Sequence, residues 1–212
     1  MKTNWILLLL AAAGCGWGVT AADAADSHAA RLINISSRVA VGGSAGTPIA
    51  GFVLGGTGNK AMLVRAVGPT LASYGVAGAL ADPSLALVTG GATVASNDNW
   101  QVGDAGTFNL TGAFPLLGGS QDAALVTTLA AGVYSAPVGA GSSSGVTLLE
   151  VYDAETASTT ATLVNASTRA YVGTGDAVLI PGFVISGTGT VTLLVRAVGP
   201  TLGNFAVSGA LA

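Results

Sequence analysis

The chain has 212 residues and a net charge of −3; half of it is apolar and only 8% charged, with 32 glycines and a single cysteine. That balance excludes a disordered segment, which carries more charge and fewer β-branched residues. It also excludes a binder of nucleic acid or anionic lipid that works by neutralising phosphates, because there is no basic patch to do so. Val, Thr and Gly are frequent while Lys, Glu and Gln are scarce, so short strands joined by glycine turns are expected rather than helices. The length admits one or two domains.

Taken in order, residues 1–24 read as an export signal. Lys2 gives the positive end, residues 6–13 the apolar core, and 19–21 or 22–24 a small-residue cleavage site. The apolar core is too short to span a bilayer as a helix. The competing reading makes Ala12-Ala13-Gly14-Cys15 a lipoprotein signal with a lipid anchor on Cys15. The residue three before the cysteine is Ala12 rather than the usual branched one, so a removed signal peptide is the expectation. Both readings place the protein outside the cytoplasm.

Strands are expected at 32–35, 38–41 and 49–54, then at 62–67 after a hairpin loop at 55–59, whose glycines supply positive φ. Residues 62–67 are apolar on both faces except at Arg65, which predicts a central strand. Gly68-Pro69 ends it. A Gly90-Gly91 hairpin joins strands at 85–88 and 93–96, and an irregular segment runs from Asn97 to Gln121. Strands at 124–129, 133–138 and 146–152 close the unit, with a turn at Ala131-Gly132; Pro137 argues for an edge position. Residues 154–162 read as a linker.

The run from Leu32 to Ala81 then returns, 131 positions later and without a gap, as Leu163 to Ala212, with roughly half of the paired residues identical. Phe52-Val53 reappears as Phe183-Val184, and Leu63-Val64-Arg65-Ala66-Val67-Gly68-Pro69-Thr70-Leu71 as residues 194–202 without change. The expected organisation is an all-β chain: a complete β-sandwich repeat, jelly-roll or Ig-like, at 30–158, then a linker and the first half of a second repeat at 159–212. A half-unit cannot bury both faces of a sheet, so a longer tandem array is expected. Docking of 163–212 onto the first unit as a cap is one alternative, and a permuted unit spanning 82–212 is another.

Several segments carry a resemblance: Asn34/Ser36/Arg38, residues 51–53, Arg65 to Leu71, 78–83, Asn97-Asp98-Asn99-Trp100, and Val151-Tyr152-Asp153. With these the unit resembles an uncharacterised tandem repeat of about 130 residues found in large secreted bacterial proteins, a family that implies context rather than mechanism. Residues 85–152 also resemble, more weakly, the C-terminal β-sandwich domain of secreted peptidases. That likeness implies an accessory module beside a catalytic domain.

No motif points firmly to catalysis. Gly141-Ser142-Ser143-Ser144-Gly145 has the spacing of a serine-hydrolase elbow, but that elbow needs a strand–turn–helix setting and a histidine. His28 is the only histidine, so the stretch reads as a hairpin loop. Residues 55–60 lack the spacing of a phosphate loop, and Lys60 becomes Val191 in the second copy; this too reads as a turn. Arg65 and Arg196 each sit in an apolar strand and call for a carboxylate; Asp82, Asp122, Glu150 and Asp153 are the candidates for a structural ion pair. Asp98, Asp104 and Asp122 are a possible calcium set, though their spacing matches no EF-hand, and turn-forming Asn and Asp are the plainer reading. Trp100, with Phe108, Phe114 and Tyr134, suggests either a glycan-stacking platform or, preferably, a plug under the long loop. Three sequons begin at Asn34, Asn109 and Asn165.

The resulting expectation is an exported, non-catalytic structural or adhesive β-sandwich repeat protein, secreted or at the cell surface. Its partners would be other copies of the repeat or a surface polymer, with no nucleic acid, no membrane span and no obligatory cofactor. The alternative is a carbohydrate- or calcium-dependent binding module accessory to a secreted hydrolase.

Overall fold

A computed structural model describes residues 5–8, 29–155 and 160–212. The chain is all-β: the strands are β1 (Trp5–Leu8), β2 (Arg31–Gly42), β3 (Ile49–Val67), β4 (Ser84–Thr89), β5 (Ala92–Asn97), β6 (Ala123–Gly139), β7 (Ser144–Asp153), β8 (Ala161–Tyr171), β9 (Ile180–Ser186) and β10 (Ala197–Val198). Their ladders are all antiparallel. A seven-residue helix, α1 (Ala105–Thr111), interrupts the long segment expected to be irregular. Among the described residues no helix is long and apolar enough to cross a membrane, which says nothing of strand-built spans. Most of the expected signal segment, with Cys15 and His28, lies outside the described residues, while Trp5–Leu8 pairs with β8 and β10.

Two expected turns are corrected. Residues 55–59 do not close a hairpin, and Ala131-Gly132 is not a turn: β3 and β6 each run straight through as one long strand and pair with each other from Ile49↔Pro137 to Ala66↔Ala123. The glycines act instead as a bulge. The register jumps from Leu54↔Gly132 to Asn59↔Ala130, so residues 55–58 lie opposite the single residue Ala131, with Gly56 at φ 92° and Gly58 at φ 83°. Positive φ on one strand bends and twists a ladder without ending it. The edge reading of Pro137 is corrected too, because β6 is flanked by both β3 and β4. Proline is tolerated there because the β4 ladder skips from Leu85↔Val138 to Val88↔Ser135 and needs no N–H at position 137.

The sheet forks at β3. Its first half pairs with β8 and its second half with β7, while β6 lines the opposite edge throughout. From β7 the sheet continues to β2 and then to β9. It thereby folds back on itself, sandwich-like, around a core that joins Ile35 and Val39 to Phe52, Val64, Val138 and Leu163. Residues 62–67 are buried on both faces, as a central strand should be. Met62, Val64 and Ala66 face this core, whereas Leu63 and Val67 meet Phe108 of α1, Leu116 and Tyr152 in a second one.

The duplicated segments share a backbone where their surroundings match. Gly187 and Gly189 keep the positive φ of Gly56 and Gly58, and the 3₁₀ turn Pro69–Tyr74 returns as Pro200–Phe205. They differ over 190–196, which are not strand, whereas 59–65 are. The reason is the neighbours: β6 and β7 flank residues 62–66, and the described residues hold no second copy of either strand. Leu63 and Val64 are fully buried, while Leu194 and Val195 are 76% and 40% exposed. The turn keeps its shape even so, which makes it a local device. It ends at Gly75 in the first copy and at Ala206 in the second, both left-handed, at φ 77° and 57°. Alanine is disfavoured there by roughly 1 kcal/mol. Ala206→Gly should therefore slow amide exchange at Val207, whose N–H closes the turn on the Leu202 carbonyl at 3.2 Å.

Candidate functional site

Among the described residues the largest wholly buried side chain is that of Arg65, on the second half of β3. Its ladder partner on β7 is Glu150. The guanidinium Nε and Nη2 donate to Glu150 Oε2 at 2.8 and 2.5 Å, and Nη1 donates to the Phe114 carbonyl at 2.7 Å. Rings close the box: Cζ lies 4.5 Å from the centroid of Phe114, 5.0 Å from Phe108 and 5.7 Å from Tyr152. Aromatic faces attract a desolvated cation, which offsets part of the cost of taking it out of water. Tyr152 completes the network by donating its hydroxyl to Glu150 Oε1 at 2.7 Å. Of the carboxylates read from the sequence as partners, the structure brings Glu150 to Arg65. Asp82 is exposed, and Asp122 and Asp153 serve elsewhere.

Burial, followed by the charge of Glu150, pushes the Tyr152 phenol far above its ordinary value near 10. An unfolded chain would lose that proton from about pH 10 upward while the folded chain keeps it, so the stability this site contributes is intact below pH 10 and lost as pH rises further. Tyr152→Phe should flatten the fall of chemical stability between about pH 9.5 and 11. At neutral pH the same change should cost about 1–2 kcal/mol, because Glu150 loses a buried donor. Urea midpoints across that pH series check both.

Asp122 is also fully buried, but its work is to hold the turn after β3. Oδ1 accepts from the Gly68 N–H at 2.7 Å, and Oδ2 accepts from the Thr70 hydroxyl and from Ser120 Oγ at 2.5 Å. The structure does not bring Asp98, Asp104 and Asp122 together as a calcium cage. Asp98 is exposed, Asp104 accepts from the Gln101 N–H at 3.0 Å, and among the described residues no group of three or more potential ligands stands close enough to hold a metal.

Trp100 is half-buried, packed on Phe108 at 5.6 Å, and donates its indole N–H to Ser120 Oγ at 3.1 Å. Phe108 is 1% exposed, and Tyr134 stacks on Phe52 at 5.3 Å. Phe108 and Tyr134 serve as plugs, and Trp100 is partly covered by its packing on Phe108. Ser143 lies in the exposed turn between β6 and β7, the hairpin setting expected of it. Of the sequon asparagines, Asn34 is buried with its amide donating to the Val151 carbonyl at 3.3 Å; Asn109 and Asn165 are exposed.

Lys60 is corrected from turn residue to interior cation. It is 2% exposed, with Nζ 3.0 Å from Asp153 and 3.4 Å from Glu155. Sequence reading missed it because the glycines before it suggested a loop. Arg196, the counterpart of Arg65, is exposed beside a cleft bounded by Leu32, Phe183 and Leu194, with no counterpart of Glu150 among the described residues.

The second feature is the junction between the copies. β2 of the first copy pairs with β9 of the second, and β3 of the first with β8 of the second. Within each copy the two equivalent strands do not pair with each other. Every pairing of β2 with β9 has its mirror in that of β3 with β8: Arg38↔Ile180 with Ile49↔Arg169, Ile35↔Phe183 with Phe52↔Ala166, Leu32↔Ile185 with Leu54↔Leu163. Even the irregularities agree, since Ile33 is skipped in one ladder and Val164, its equivalent, in the other. Ser37 and Thr168, themselves equivalent positions 131 apart, meet across the core with oxygens 2.8 Å apart. They mark a pseudo-two-fold axis.

Comparison of the chain with models of protein families, with curated proteins and with solved structures finds no match.

Proposed function

We propose that this chain is an exported, non-catalytic structural or adhesive repeat protein, working at the cell surface or outside the cell. The observation that carries the reading is the reciprocal exchange of strands between the two copies, which commits an edge of β2 and an edge of the first half of β3 to strands of the other copy. The side chains best suited to chemistry are spent in the same direction. Glu150 is occupied by Arg65 and Tyr152, Asp122 by the turn at Gly68 to Thr70, and Lys60 by Asp153 and Glu155. A low-charge, Ser/Thr/Gly-rich surface on a sheet-built unit suits a stalk or surface-layer element, in which stability sums over units and their interfaces.

Glycan-array screening and calcium titration of the full chain test this reading, and neither should give saturable binding. Saturable binding that disappears in Trp100→Ala would replace it with an accessory binding module.

A further inference from the structure

Resting on that reading of the chain as a structural repeat, we propose that the face built by β2 and the first half of β3 is a self-recognition surface. Its partner is a second copy of the same repeat, in cis as seen here, and on a neighbouring chain when the cis copy is out of reach. Three features point to a surface shaped for its own kind. The registers of the two ladders are reciprocal pair by pair, as an isologous contact requires. Equivalent side chains, Ser37 and Thr168, touch on the axis. And glycine faces serine in both halves: a Cβ on Gly51 would come to 2.9 Å from Ser167 Oγ, and one on its equivalent Gly182 to 3.4 Å from Ser36 Oγ.

Such a contact is closed. One face takes one partner, so repeats associate two by two and do not stack without limit. Networks arise only when chains with several repeats share partners. Because the contacts in trans would be those made in cis, the choice between them is set by effective concentration, which a short linker puts in the millimolar range. Exchange between chains is the familiar low-cost route to domain-swapped dimers.

The test uses the full chain with Cys15→Ser, to which Ser37→Cys and Thr168→Cys are added. It is unfolded in urea and refolded under mild oxidation over a series of concentrations. At low concentration a cross-link within one chain is expected; a disulfide-linked dimer should then grow about in proportion to concentration while it is the minor species. The control Ser36→Cys/Ser167→Cys, whose side chains face glycines and not each other, should give neither product. Cross-linked monomer at every concentration would overturn exchange between chains, and the absence of any cross-link in a cooperatively folded variant would overturn the axis. Unmodified chains refolded in the same series carry the test without cysteines. Light scattering should find a species of twice 20.4 kDa that grows with concentration, and a monomer throughout would refute the proposal. Calcium or glycan binding would sink the structural role while leaving these outcomes untouched.

Discussion

Glu150→Ala should lower the stability of the chain by about 3–5 kcal/mol, the loss typical of a buried ion pair deprived of one partner. Arg65 would then keep a full charge at zero exposure with only the Phe114 carbonyl and three ring faces around it. Tyr152 would lose its acceptor at the same time. Glu150→Gln should cost less, since an amide oxygen still accepts from the guanidinium, although its charge is gone. The double variant Arg65→Met/Glu150→Leu should recover most of the loss, because two well-packed apolar side chains avoid the desolvation of both ions. Arg196→Met supplies the internal comparison. The same residue at the equivalent place of the second copy is exposed, so its replacement should stay within about 0.5 kcal/mol. Urea midpoints at constant m-value measure all four. A small effect for Glu150→Ala would mean that the box is wetter than its burial indicates.

Gly68→Ala should be the other severe substitution. A Cβ there would lie 2.1 Å from the Leu80 carbonyl oxygen and 3.1 Å from Pro83 Cδ. Leu80 cannot retreat: it is wholly buried, and its N–H donates to the Val146 carbonyl at 2.8 Å while Val146 returns a bond to Gly78 at 2.8 Å. The Gly68 N–H is also held by Asp122 at 2.7 Å. Overpacking at a site so fixed costs about 3 kcal/mol. Gly199→Ala makes nearly the same clash, 2.3 Å from the Leu211 carbonyl, but Leu211 is only half-buried whereas Leu80 is wholly buried. That variant should cost about 0.5 kcal/mol or less in global stability. Equal losses at the two positions would show that the second copy is bound into the cooperative unit as firmly as the first.

The 131-residue offset, the all-β class, the central place of residues 62–67 and the need of Arg65 for a carboxylate were all legible in the sequence. Each rests on a periodic or local signal. The continuity of β3 and β6 was not legible, because glycines that permit a bulge are the same glycines that permit a turn; only the partner strand decides between them. Lys60 was hidden for a related reason, since its burial depends on Asp153, which is distant in sequence. The exchange between copies was the least accessible feature. Alternation along 32–41 says which face of that strand is buried but not which strand lies beside it. Pairing inside one repeat and pairing across two satisfy the same pattern.

The pairing of β2 also sets a timetable. Its neighbours are β7 and β9, so Gly42 meets Ser144 and Arg38 meets Ile180. On a ribosome that adds about 5–20 residues per second, the first long strand emerges several seconds before either neighbour has been made. No nearby segment can complete its hydrogen bonds in the interval, and long-range pairing of this kind is intrinsically slow. The first long strand therefore stays without either ladder until β7 has been made, although the β4–β5 hairpin between them can already close.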